Sequence, residues 1–454
     1  MRKGLFIVIK VYLFTWVLFF VLFLLRALDE SVTLTEAFQF FLELMGYTTF
    51  LTALHLAFLV IYLLFLIGRY FHRTYIKKGF STMAKQAAFR FLLPTLAIFV
   101  IFKLLVYGNS NENYAYAWDH TIENRSRQAT NLYKTDGKHR GMSVFGWKEH
   151  NEKYIDELIK NNIEWVAITP FYYQKGEDTR EMGIPNEIGK WSQRDSVFIK
   201  SIAQLHAKGV RVQLKPHLWM DQGWRSNVKM PNKEAWSLWF ESYRKNLIHH
   251  AIMAQETGVE LLCIGTELKS SLRHAPEQWW SLVREIKTVY KGKLTYAANW
   301  DGEYELVDFW GELDYIGIQA YFPLTKTKNP NLEMIKTGWD RHVQKLHTLY
   351  KTHEKPILFT EVGYKSEASA TIKPWEWGTT FGILFNKKSD RTQQRAYEAL
   401  FNRLWDKDWF HGTYIWQWDT RTSEDDAFQS VDFSPRYKPA ENTIAKWYGS
   451  VGTN

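Results

Sequence analysis

At 454 residues the chain can hold more than one domain, and 46% hydrophobic residues, 17% aromatic residues and 21 Trp exceed what packing alone requires. Most of the formal charge of +9 sits at one end: residues 1–108 hold 11 Lys and Arg against 4 Asp and Glu, the remainder 46 against 44. That split excludes a nucleic-acid surface as the source of the basicity, and the single Cys263 excludes an intrachain disulfide.

In chain order, three apolar runs come first, 5–25, 48–68 and 91–107. A membrane-spanning helix needs about 20 residues; the third run is the shortest and carries Pro94 and Lys103, the latter near enough to its end to snorkel. The first run is too long for the apolar part of an ordinary signal peptide. No small-x-small cleavage site precedes "LDESV", so this run reads as an uncleaved anchor. Arg2 and Lys3 precede it, and Arg69, Arg73, Lys77, Lys78, Lys85 and Arg90 lie between the second and third runs, whereas Asp29, Glu30, Glu36 and Glu43 lie between the first and second. The positive-inside rule then puts the N-terminus in the cytoplasm and the chain after Tyr107 outside. The expectation is a multi-pass cell-membrane protein, with three transmembrane helices in residues 1–108 and an extracytoplasmic remainder.

Residues 109–137 are polar, show little periodicity and read as a stalk. From about Lys138, short apolar runs alternate with amphipathic helical stretches, the pattern of βα units around a parallel sheet. Eight runs can be placed: "RGMSVFGW", "IEWVAITPF", "VRVQLKPHLW", "VELLCIGTEL", "KLTYAANW", "LDYIGIQAYFP", "PILFTEVGY" and "GTYIWQWD". Residues 138–450 therefore fit an α/β fold, one (β/α)8 TIM barrel with enlarged loops. An open doubly wound sheet would carry a Gly-rich phosphate turn after its first strand, and none follows "GMSVFGW".

Barrel active sites form where the strands end. The residues there are Trp147, Tyr172, Tyr173, Lys215, His217, Glu267, Asn299, Trp300, Gln319, Tyr321, Glu361, Trp416, Trp418 and Asp419. Two carboxylates on nearly opposite strands, within a ring of aromatics, are what glycoside hydrolysis needs. One carboxyl protonates the leaving oxygen, the other attacks the anomeric carbon or activates water, and aromatic faces stack on sugar rings. Glu267 alone would more often be a salt-bridge partner; its match on the seventh run turns the reading to catalysis. Trp279 reads as helix packing, and "SEDDAF" as a solvated acidic loop, so no metal is expected.

"CIGTEL" with "PILFTEVGY" resembles the retaining glycoside hydrolases of clan A. "KPHLW", "NW", "QAYFP" and "WQW" narrow the likeness to glycoside hydrolase family 113, mainly β-1,4-mannanases, over about residues 138–448. The resemblance implies Glu267 as acid/base, Glu361 as nucleophile, Tyr321 as the nucleophile's hydrogen-bond donor, Lys215 and His217 as sugar-binding residues, and Trp416 as the sugar platform. Asn299, Trp300 and Trp147 are further candidates for substrate contact. One departure is Thr266, which stands where many clan members have Asn. The implied activity is double-displacement hydrolysis of β-linked glycans, β-1,4-mannan or manno-oligosaccharides, with no cofactor. The expected partners are the saccharide and, through the N-terminal helices, a membrane. A non-catalytic barrel that binds a glycan or a partner, and a hydrolase of β-glucan or another cell-surface glycan, are the competing readings.

Overall fold

The computed structural model describes residues 2–29, 33–46, 48–110, 116–183, 188–377, 382, 386–425 and 430–452, and it falls into two units, Met1–Leu104 and Leu105–Asn454. The N-terminal apolar runs form helices: α1 (Arg2–Asp29), α2 (Leu34–Leu44), α3 (Thr48–Ala87) and α4 (Leu93–Ser110). Two helical stretches, Phe6–Leu25 and Phe50–Asn109, are long and apolar enough to cross a membrane by length and composition. The second and third apolar runs, expected as separate spans, thus share one helical stretch. The polar segment between them has no proline and stays helical except at Gly79, where φ 76° and ψ 171° break the helix. Pro94 follows a π-helical turn, Ala88–Leu92, a local rearrangement that accommodates a ring without an N–H.

All eight apolar runs of the second unit become strands: β1 (His139–Phe145), β2 (Trp165–Ile168), β3 (Arg211–Leu214), β4 (Leu261–Thr266), β5 (Lys293–Asn299), β6 (Tyr315–Gln319), β7 (Ile357–Val362) and β8 (Phe410–Asp419). Each pairs in parallel with its sequence neighbours, and β1 beside β8 closes the barrel. Parallel strands are covered on both faces, which is why β4 and β7 read as unbroken apolar runs and are buried throughout. Gly317 lets β6 close on β5, since a Cβ there would lie 2.3 Å from the Tyr296 carbonyl oxygen.

The covering helices are α5 (Glu152–Lys160), α6 (Gln193–Ala207), α7 (Lys233–Thr257), α8 (Pro276–Val289), α9 (Leu332–His353), α10 (Asp390–Leu404) and α11 (Pro439–Tyr448). Side-chain caps fix several starts: Ser192 and Asp195 form a reciprocal box on α6, and Asn232, Asn331 and Ser389 cap α7, α9 and α10. The repeat is incomplete between β5 and β6, where two 3₁₀ turns, Glu303–Glu305 and Trp310–Glu312, replace a helix. The third apolar run is also split. Its end, His217–Met220, leaves the barrel after Pro216 and pairs with Phe171–Gln174 in a two-stranded ribbon. Trp165, Trp239, Trp279, Trp310, Trp339, Trp405 and Trp418 are fully buried, so much of the Trp excess is core packing.

The expected stalk is tied to the barrel over its second half. The buried Glu164 carboxylate accepts hydrogen bonds from Thr130 Oγ1 (2.6 Å), the Tyr133 N–H (2.8 Å) and the Leu132 N–H, and Tyr116 OH donates to Glu441 at 2.8 Å. Low periodicity in this segment reflects strapping by side chains, which leaves no repeat in sequence. Removing the strap would strand Glu164, and breaking a buried charged pairing costs several kcal/mol. A second unit beginning at Lys138 should melt roughly 5 °C or more below one beginning at Tyr116; equal melting temperatures would show that the strap contributes nothing.

Candidate active site

Glu361 lies within β7, and its carboxylate accepts from Lys215 Nζ at 2.8 Å, Gln319 Nε2 at 2.8 Å and Tyr321 OH. Lys215 is fully buried, and its remaining contacts run to the Thr360 carbonyl at 3.0 Å and Gln319 Oε1 at 3.4 Å. Its ammonium is therefore spent inside the protein, where sequence had suggested a sugar contact. An ionised carboxylate only accepts, and donors from β6, β7's neighbour, and from the end of β3 satisfy this one.

Glu267 immediately follows β4 with a left-handed backbone, φ 54°. Such backbone is sparsely populated outside glycine and persists only where neighbours over-determine it. Here the Glu267 N–H donates to the Ala297 carbonyl (3.0 Å), Ser226 Oγ donates to the Glu267 carbonyl (2.7 Å), and the Leu268 N–H donates to Tyr296 OH (2.9 Å). The carboxyl accepts from Asn299 Nδ2 at 3.1 Å and pairs with Arg225 at 2.5 Å. Burial pushes its pKa up, the Arg225 guanidinium pulls it back, and the Glu361 charge pushes it up again; the net direction is upward. Thr266, at the position of the clan's Asn, turns its hydroxyl toward Cys263 Sγ at 3.8 Å, and the amide beside Glu267 comes instead from Asn299 on β5.

A third carboxyl, Glu303, lies behind Glu267. Tyr296 OH donates to it at 2.6 Å and the Asn299 N–H at 3.2 Å, and burial raises its pKa to about 8. His217 is buried with Nε2 unpartnered, and burial followed by the Lys215 charge holds its ring neutral. Its ring lies parallel to Trp416, 2° apart in plane at a 6.4 Å centroid distance, and Trp416 packs edge-on to Phe145. Trp300 stacks on Trp375 at 4.8 Å. Trp147 is half-buried against the core with Nε1 unpartnered.

The barrel mouth thus gathers Glu361, Tyr321, Lys215 and Gln319 at one carboxyl and Glu267, Asn299 and Arg225 at the other. Trp418 belongs instead to the core, under the Arg436 guanidinium, and Asp419 pairs with Arg421. Sequence reading missed Arg225, Glu303 and Trp375. Gln319 was named there as a strand-end residue, without a role. Among the described residues no cluster of three or more His, Cys, Asp or Glu suits a metal ion; part of "SEDDAF", 426–428, lies outside them.

The model of Glycoside Hydrolase Family 113 matches residues 142–438. The chain belongs to this family. Similar solved structures include a GH113 β-1,4-mannanase complex, 24% identical, covering 69% of this chain and 99% of that one, with a TM-score of 0.60. A second is the GH113 β-mannanase AaManA from Alicyclobacillus acidocaldarius in complex with ManMIm, 25% identical, covering 69% and 98%, TM-score 0.60. No curated protein matches. The family 113 barrel is a glycoside hydrolase, and the N-terminal helical region lies outside the matched residues.

Glu303 gives the fold a pH dependence that is separable from catalysis. Its pKa is raised from 4.5 to about 8, so the folded protein holds a proton that the unfolded chain releases. The associated stability is fully present below about pH 4.5 and is lost as pH rises through about 8. Thermal unfolding across that interval should show a falling Tm in the parent and a flatter profile in Glu303→Gln. Parallel profiles would refute the assignment.

Proposed function

We propose that the protein is a membrane-anchored, extracytoplasmic retaining glycosidase that cleaves β-1,4-mannan or manno-oligosaccharides, with Glu361 as nucleophile and Glu267 as acid/base. The carrying observation is the opposed treatment of the two carboxyls. Glu361 accepts from a buried ammonium, an amide and a phenol, a shell made only of donors; Glu267 is buried with its pKa pushed up, which favours the neutral acid. The pair suits double displacement. Glu361 attacks the anomeric carbon, the C1–O bond breaks, and its electron pair leaves with the aglycone oxygen as Glu267 delivers a proton. Once the ester forms, Glu361 no longer carries charge, and Glu267, now ionised beside Arg225, takes a proton from the attacking water.

Lys215, Gln319 and Tyr321 act as positioning residues for the nucleophile. His217, whose buried Nε2 has no partner among the described residues, is the candidate for a sugar hydroxyl, and Trp416 beside it for the stacking face. The substrate class rests on the family's solved mannanases, and the anchoring rests on the two apolar helical stretches and the flanking charge. Manno-oligosaccharides should be cleaved in preference to β-1,4-gluco-oligosaccharides.

Glu361→Ala should lower kcat by at least about a thousandfold, and added azide should yield the α-glycosyl azide. Glu267→Ala should retain turnover on substrates with a good leaving group, and azide should then yield the β-glycosyl azide. Wild-type turnover of manno-oligosaccharides by either variant, or an inverted first product from the parent, would sink the mechanism. Arg225→Met removes the group that lowers the Glu267 pKa, so the basic limb of kcat/KM against pH should move to higher pH. A downward move would count against Glu267 as the acid.

A further inference from the structure

A cavity of about 550 Å³ opens beside Glu267, bounded by Asn299, which touches that carboxyl, by Ser226, which bonds the Glu267 backbone carbonyl, and by Lys229, Lys269 and Arg273. Asn299, which lines it, also donates to the Glu267 carboxyl, so the cavity adjoins the group that protonates the leaving oxygen in the proposed mechanism, and on that reading it is the aglycone side. Its charges do not cancel. Lys229 faces Glu177 at 3.7 Å and Lys269 faces Asp301 at 3.0 Å, while Arg273, exposed on the short turn Lys269–His274, has no carboxylate partner among the described residues. Three cations against two carboxylates leave one positive charge in the cavity.

Arg225 adds a second imbalance. Its side chain is 12% exposed, and among the described residues its Nε has no partner and its one carboxylate contact is Glu267. A general acid must be protonated to act, and at that moment Arg225 loses its counter-charge. A largely buried guanidinium without an anion is unfavourable. The bound substrate is what can supply the anion, because a guanidinium fork matches a carboxylate or phosphate in two parallel bonds.

We propose that the aglycone side of this cleft takes a sugar bearing an anionic group, a carboxylate or a phosphate, which pairs with Arg273 and draws Arg225 off Glu267. This rests on the glycosidase reading and refines its substrate. Charge on the leaving sugar then does two things: it anchors the aglycone and it leaves Glu267 free to hold its proton.

The test compares kcat/KM for the full chain in detergent on three substrates: mannobiosyl β-1,4-glucose, mannobiosyl β-1,4-glucuronate and mannobiosyl β-1,4-glucose 6-phosphate. The acidic substrates should exceed the neutral one by roughly ten- to a hundredfold, the gain of one charge-assisted hydrogen bond. The arm with the larger gain identifies the anion. Arg273→Gln should cut the preference by about tenfold, and Asp301→Asn, which removes the carboxylate facing Lys269, should widen it. Equal rates on all three substrates, or a preference that neither variant moves, would overturn the inference and leave the glycosidase reading intact. Cleavage of β-1,4-mannotriose with none of the three cut would overturn this inference alone, and no cleavage of mannotriose either would overturn the glycosidase reading with it.

Discussion

Under the proposed mechanism two like acids in one buried barrel mouth must be kept in opposite protonation states, and the arrangement around them suits that need. Adjacent carboxylates disfavour joint ionisation, so a neutral member needs only burial and its charged neighbour, whereas the charged member needs donors. The closed barrel provides both. Strands β3, β6 and β7 bring Lys215, Gln319 and Tyr321 onto Glu361 from separate points of the sequence, while Glu267 stands at the end of β4 with one amide and one guanidinium. Lys215 is decisive: a fully buried ammonium costs several kcal/mol unless it is paired, and Glu361 is the partner that pays for it.

Membership of family 113 and the likeness to solved mannanases describe the barrel, but not the whole chain. The helical region before it has no counterpart in the matched span, residues 142–438. The strap that follows the helices is part of the barrel's own stability, because it supplies donors to Glu164 at the barrel's N-terminal end, opposite the rim that carries the two acids.

The eight strands were legible because parallel strands must be apolar on both faces, which leaves uninterrupted runs that end in polar residues. Glu267 and Glu361 were legible for the same reason, as charges at the ends of such runs. Lys215 was found but assigned to sugar, since spacing along the chain cannot tell whether an ammonium faces a cleft or a carboxylate. Arg225 and Trp375 were invisible. They sit in loops with no periodicity, and only the closure of the barrel brings them to the mouth. The replacement of a helix by two 3₁₀ turns after β5 was missed because "DGEYELVDFWGELD" is too short for a covering helix yet apolar enough to imitate one.

That missing helix bears directly on the acid. The 3₁₀ turn Glu303–Glu305 returns the chain under the end of β5 and places Glu303 where its carboxyl meets both Tyr296 OH and the Asn299 N–H. Tyr296 in turn accepts the Leu268 N–H, one residue after the left-handed Glu267, and the Asn299 side chain reaches the Glu267 carboxyl. A full helix would begin further from the strand and would carry its first residues away from this contact. Glu303 therefore fixes the backbone and the amide on either side of Glu267 at once. Its own burial without a cation leaves it neutral near pH 7, which spares the acid a second adjacent negative charge. The strain at Glu267 is thus held by a group that supports the proton's position while adding no charge to its surroundings.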